Sequence, residues 1–213
     1  MRWRAATIIL FFASISMAVI IDRIAIVVGN SIIKDSDIER DVRVTDFLNG
    51  QTLSMSPSSR KAAANRLIDQ LLIRREVRIG DYPRATMEEA EQELSEIEKQ
   101  RFHSQVALQN ALKRYGLTDI QLREQFQWQL TVLRFIDARF KPAVFISDDA
   151  VQKYYSEHEA ELRREHPGNA SLDALSGEIR DTLAGEQVNK LFFSWLDETR
   201  NQTKITYLEE NLR

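Results

Sequence analysis

The stretch "IDRIAIVVGNSIIKDSDIERDV", Ile21 to Val42, limits the possible folds more than any other. Arg23 to Val28 and Ser31 to Lys34 are β-branched or apolar and flank Gly29-Asn30, two residues able to take positive φ. This pattern predicts a β-hairpin. Two strands alone are marginal in water, so another segment must return to cover them. The other end of the chain offers one. In "TKITYLEE", Lys204 to Leu208 alternates in strand fashion. Pairing this tail with the hairpin would cover an open edge and bring the two chain ends together.

Everything between reads as helix, in keeping with only 7 Gly and 4 Pro in 213 residues. Ser36-x-x-Glu39 reads as a capping box, and its helix carries Ile38, Val42 and Val44 before ending near Asn49-Gly50. Residues 51 to 58 read as a loop with Pro57. From Arg60, the positions of Ala64, Leu67, Ile68, Leu71 and Leu72 give one apolar stripe. Gly80 and Pro83 stop that helix. Thr86-x-x-Glu89 caps a helix lined by Met87, Ala90, Leu94, Ile97 and Phe102, whose Glu-rich outer face is read as solvated rather than cation-binding. A short helix from Gln105 closes at Gly116, and Thr118-x-x-Gln121 caps a long helix, which runs to about Phe140 before Pro142. Ser147 caps the next helix, and Arg163 to Ser171 is a polar loop. A last helix runs from about Leu172 to Arg200, with Leu175, Ile179, Leu183, Leu191, Phe192, Trp195 and Leu196 inward, and Gly177 and Gly185 weaken its first half. The expected class is mainly α, with a small antiparallel sheet made by the N-terminal hairpin and a C-terminal strand.

The first residues differ from the rest. Arg2 and Arg4 precede an apolar run, and Ser16-Met17-Ala18 places small residues at a cleavage site. Residues 1–18 are therefore read as a signal peptide and residues 19–213 as one domain. The competing reading is an uncleaved anchor, for which Ala5 to Ile21 is at the short edge of a bilayer span. Both readings place the body outside the cytoplasm. With no Cys, the exported body must be held by its core, and thiolate chemistry and Cys-zinc sites are excluded. The net charge of -3 gives no basic footprint for nucleic acid or an anionic membrane.

The residues offer few groups for catalysis. His103, His158 and His166 form no pair at helical spacing, and no H-E-x-x-H, G-x-S-x-G, P-loop or G-x-G-x-x-G motif is present. Asp148-Asp149 sits at a helix start, where carboxylates complement the dipole. His158, beside Tyr154 and Tyr155, reads as a surface residue. Asn169-Ala170-Ser171 and Asn201-Gln202-Thr203 match the glycosylation triplet, without other support. No catalytic, cofactor or metal residues are expected. The segment Thr118 to Phe140 has two stripes at 100° per residue. Phe126, Leu130, Leu133 and Phe140 form one, and Trp128, Val132 and Phe135 lie nearly opposite. Such a helix is either central, packed on both faces, or offers one face to a partner. The central reading is the commoner one. On the other, Trp128, Val132 and Phe135 are the candidate client contacts.

Several stretches resemble the N-terminal domain family of SurA, the parvulin-type periplasmic chaperones. They are "IDRIAIVVGNSIIKDSDIE", "RLIDQLLIRREVRIG", "LQNALKRYGLTDIQLREQFQWQLTVLRFIDARFKPAVFISDDAVQKYYSEH" and "FSWLDETRNQTKITYLE", in that order, over most of residues 21–160 and 186–209. The resemblance implies a helical domain closed by its C-terminal helix and strand. It also implies an ATP-independent periplasmic chaperone whose partners are unfolded polypeptides, outer-membrane proteins foremost. One family feature is missing. Relatives insert parvulin domains between the "ISDDAVQKYY" helix and the last helix, but here Glu159 to Ser171 spans 13 residues. A domain needs at least about 50. Prolyl isomerase activity is therefore not expected. The rival expectation is a scaffold or adaptor for one specific partner in the cell envelope, tethered through the N-terminal segment.

Overall fold

The computed structural model describes residues 22–213, so the segment expected to be a signal peptide, residues 1–18, lies outside the described residues. The hairpin forms as expected. Strand β1 (Ile24–Val28) pairs antiparallel with β2 (Ser31–Lys34) across the Gly29-Asn30 turn. Only Gly29 takes positive φ there, at 55°. A first central glycine of this kind suits a turn whose twist matches the flanking strands. The tail supplies β3 (Ile205–Tyr207), which pairs antiparallel with β1 through Ile26–Tyr207, Val27–Thr206 and Val28–Ile205. The sheet order is β2-β1-β3. Two further backbone bonds seal it: Gly29 N–H donates to Lys204 O and Leu208 N–H to Ala25 O. The fold is thus mainly helical, with a three-stranded antiparallel sheet built from both chain ends.

Seven α-helices follow the hairpin among the described residues. Helix α1 (Asp35–Leu48) starts one residue before the expected Ser36 cap. Asp22 explains the difference: it accepts from both the Ser36 N–H and the Ser36 hydroxyl, and so removes that hydroxyl from capping. Asp37 accepts from Lys34 N–H in its place. Helix α2 (Pro57–Ile79) begins with Pro57 in its first turn behind the Ser56 cap, three residues earlier than the apolar stripe alone indicates. Helix α3 (Met87–Ile97) has the expected Thr86–Glu89 capping box and continues as one π turn through Phe102. Helices α4 (Gln105–Tyr115) and α5 (Asp119–Phe140) flank Gly116, whose φ is 65°. Helices α6 (Asp148–Glu165) and α7 (Leu172–Gln202) form the C-terminal hairpin. Gly177 and Gly185 do not interrupt α7.

Among the described residues, apolar side chains gather in three clusters. The main one joins the sheet (Ile26, Val28, Ile33) to α2 (Ile68, Leu72), α5 (Trp128, Phe135, Phe140), the second half of α7 (Val188, Phe192, Leu196) and Leu212 at the C-terminus. A second joins Val44 and Phe47 of α1 to α3, α4 and the first half of α5. A third, small cluster lies between α6 and the first half of α7, with Val151, Leu162, Leu175 and Ile179 buried. Helix α7 therefore spans two environments, one end in the main core and the other in a two-helix arm. Of its expected inward residues, Leu191 turns to the surface, and Val188 takes the buried place one turn earlier.

Leu212 is 1% exposed and anchors the chain end in the main core. Leu212→Ala is expected to cost about 2–4 kcal/mol, which lowers Tm by roughly 5–15 °C. Leu208→Ala, four residues away and largely exposed, should stay within about 0.5 kcal/mol. Thermal unfolding followed by circular dichroism compares the two; equal, small shifts would show that the tail does not hold the fold. Gly177 and Gly185 face open space. Ala at either should stabilise the arm by about 0.5–1 kcal/mol, read in the same scans.

Candidate functional site: an open trough beside the hairpin

Helix α5 is the central helix that its two stripes allow. Leu122 and Phe126 enter the second cluster, whereas Trp128, Phe135 and Phe140 enter the main one. Phe135 is 0% exposed, and its ring packs edge-on against Tyr82 and Phe140, with Trp195 tilted beside it. As a surface contact for clients, Phe135 is corrected: it is a core residue. Val132 is half-buried against the same cluster. Leu133, from the opposite stripe, is the side chain that reaches solvent, at 60% exposed. The physical reason lies in its neighbours: Tyr82 from the loop after α2 and Trp195 of α7 pack on the Phe135 side, within the cluster that also holds sheet residues.

Trp128 differs from Phe135. It is 8% exposed, yet it lies on the wall of an open trough of about 890 Å³. The hairpin tip (Val28 to Ser31), α2 from Leu71 to Arg78, α5 (Glu124, Gln127, Trp128, Thr131), Arg84 and Ala85, and Thr203 line this trough. A second, smaller depression of about 290 Å³ continues it past Ile32 and Ile33, over Leu67, Gln70 and Leu71 of α2, and shares Leu71, Arg74 and Glu124 with the first. Of β2, Ser31 lines the first depression and Ile32 and Ile33 line the second, while Val28 and Thr203 also line the first. Among the described residues, the outer edge of β2 has no strand partner. In the β1–β2 ladder, Val28 and Ser31 flank the turn and Ile32 is the next position. Ladder alternation therefore points the Ile32 N–H and C=O away from β1.

The two ends of the trough differ in charge. At the base of β2, Asp37 pairs with Arg40 and Asp41 with Arg66. At the tip end stand Arg74, Arg75, Arg78 and Arg84, all solvent-facing, against Glu124. Among the described residues none of these four guanidiniums lies within ion-pair distance of a carboxylate. The Arg74 guanidinium sits 3.8 Å over the Trp128 ring. Burial of that head against the ring pulls its pKa below the ordinary arginine value, and Glu124 partly restores it. Arg84 donates to Val77 O at the end of α2. Its neighbour Ala85 donates its N–H to Thr131 Oγ1 and accepts from Gln127 through its carbonyl. These bonds fix the loop that closes the tip end of the trough. Sequence reasoning missed these arginines. The available signal was "RREVR", in which no carboxylate stands three or four positions from Arg74, Arg75 or Arg78 within the helix.

The remaining groups singled out in the sequence stay apart. His158 stacks on Tyr154 with centroids 4.1 Å apart, and its Nδ1 meets Tyr154 O. His166 ends α6 and lies 3.4 Å from Glu178 of α7. His103 sits at the end of the π turn with φ 58°. Asp148 and Asp149 occupy the first turn of α6, where Ser147 caps Ala150 N–H. Among the described residues, no three His, Asp or Glu side chains are placed to hold a metal ion, and no helix is long and apolar enough to cross a membrane. The chain matches no family model, and no curated protein matches it.

The burial difference along α5 and the trough makes a direct test. Phe135→Ala should cost about 3–5 kcal/mol. Arg75→Ala and Arg78→Ala, exposed and unpaired, should each stay within about 0.5 kcal/mol. Urea unfolding of the three variants separates them; a neutral Phe135→Ala would return Phe135 to the surface stripe.

Proposed function

We propose that this chain is an ATP-independent chaperone of the cell envelope that holds unfolded polypeptides, outer-membrane proteins among them, in the open trough beside the hairpin. The observation that carries the reading is the unpaired edge of β2 running along a trough that is part apolar and part arginine-lined. An unfolded chain exposes backbone N–H and C=O groups, apolar side chains and charges. The trough presents a partner for each: the β2 edge, the half-buried Leu67 and Leu71 side chains, and the arginines. Backbone pairing is tolerant of sequence, which suits a wide clientele. The order of elements resembling the SurA N-terminal domain family supports the same reading, as does the signal-like start of the chain for a periplasmic location. On this reading the protein does no prolyl isomerisation, since the chain has no segment of domain length between α6 and α7. Release needs only weak affinity and the folding of the client.

The test is suppression of aggregation of a urea-unfolded outer-membrane β-barrel protein on dilution, followed by light scattering. Equimolar or modest excess chaperone should lower the scattering without nucleotide. No change in scattering, together with capture of one partner at high affinity, would replace the chaperone reading with an adaptor. A proline-peptide assay should show no rate above background.

A further inference from the structure

We infer that the trough selects extended segments bearing acidic side chains at alternate positions, added as a fourth strand on the free edge of β2. The inference deepens the chaperone reading and rests on it for the polypeptide class of the ligand. Three observations converge. First, β2 and α2 run side by side in opposite senses. Ser31 shares the trough with Leu71 to Arg78, and Ile32 and Ile33 share its continuation with Leu67 to Arg74. A strand laid on β2 therefore travels along α2. Second, the length fits. Leu67 to Arg78 covers roughly 16 Å of helix at 1.5 Å per residue, which matches about five residues of extended chain. Third, the charge spacing fits. Arg74 and Arg78 lie one helical turn apart, roughly 6 Å along the axis. Side chains on one face of a strand repeat about every 6.6 Å. Carboxylates at positions i and i+2 would thus meet Arg74 and Arg78, with Arg75 beside them.

The arginines suit this role because no carboxylate among the described residues forms an ion pair with Arg74, Arg75 or Arg78. Several other arginines of the body are paired: Arg60 with Asp35 and Glu209, Arg66 with Asp41, Arg139 with Glu76, Arg200 with Asp69. Stacking on Trp128 holds the Arg74 fork flat and preordered, with its N–H edges free to bind a carboxylate. Glu124, the one carboxylate on the facing wall, would repel an acidic segment from α5 and press it toward α2 and β2.

The experiment uses fluorescently labelled peptides of about nine residues in which Val alternates with Glu, against the same peptide with Gln for Glu, measured by anisotropy on the full chain. The Glu peptide should bind roughly tenfold tighter or better, and rising salt should erase most of the difference. Arg75→Glu combined with Arg78→Glu should abolish the preference while circular dichroism and Tm stay near those of the parent chain. N-methylation of alternate backbone nitrogens on the paired edge should weaken the Glu peptide, because strand addition needs those donors. Equal binding of the Glu and Gln peptides overturns the acidic selection. Undiminished binding of the N-methylated peptide overturns strand addition. Equal displacement of the Glu peptide by polyphosphate, at matched charge, overturns a peptide ligand in favour of a generic anion surface. If aggregation is suppressed but no Glu preference appears, this inference fails and the chaperone reading stands. If the Glu peptide binds but aggregation is not suppressed, the reverse holds.

Discussion

The double pairing of β1 is the constraint on which the rest depends. Ile26 faces Ile33 on one side and Tyr207 on the other, and Val28 lies between Ser31 and Ile205. A strand bonded on both edges buries its backbone polarity, so Ala25, Ile26 and Val28 can sit in the core. That arrangement requires the two chain ends to arrive together. Arg60 of α2 adds a charged clasp, 2.5 Å from Asp35 at the start of α1 and 3.3 Å from Glu209 in the tail. The hydrogen bond that Arg60 donates to Asp35, more than either partner's charge, holds the Arg60 pKa above its ordinary value. Arg200 does similar work at the end of α7, bonding Asp69 and Asn65 of α2. With both ends fastened to α2, the hairpin has one position, and its unpaired edge is fixed beside that helix.

Helix α5 performs the second joining step. Its first turns belong to the cluster made with α3 and α4, and its later turns belong to the cluster made with α2, α7 and the sheet. A helix apolar on two sides is suited to be a wall shared by two cores. The cost of that position is that its aromatic side chains are committed to packing. Trp128 is the exception in kind: its edge completes the core and its face supports Arg74. The trough is therefore a by-product of core geometry at one wall and of the sheet edge at the other.

The sequence carried the local chemistry well. Thr86, Thr118, Ser147 and the hairpin turn all act as their residue types predict, because caps and turns depend on a few adjacent groups. The tail strand was legible because a bare hairpin needs a third partner. What failed did so through distant competition. Ser36 lost its capping role to Asp22, fourteen residues earlier. The stripe arithmetic placed Phe135 and Leu133 on opposite faces correctly but could not rank the faces, since that ranking depends on α7 and the sheet arriving on the Phe135 side. Arg74, Arg75 and Arg78 drew no reading from the sequence, because their common place in the trough depends on the hairpin tip that lines it with them.

The lining of the trough also bears on how a holding protein can release its load. A wholly apolar groove gains free energy in proportion to the area it covers and binds exposed chains tightly. Here half the surroundings are polar or charged, and the most hydrophobic residue, Trp128, is capped by a guanidinium. Binding through an edge strand and arginines instead exchanges hydrogen bonds and ions with water, so the net gain per contact is small. A client that folds buries its own edges and charges and removes them from this exchange. For a chaperone of the kind proposed, that gives release without a nucleotide: the client leaves because its own sheet offers the same backbone groups a better partner than β2 does.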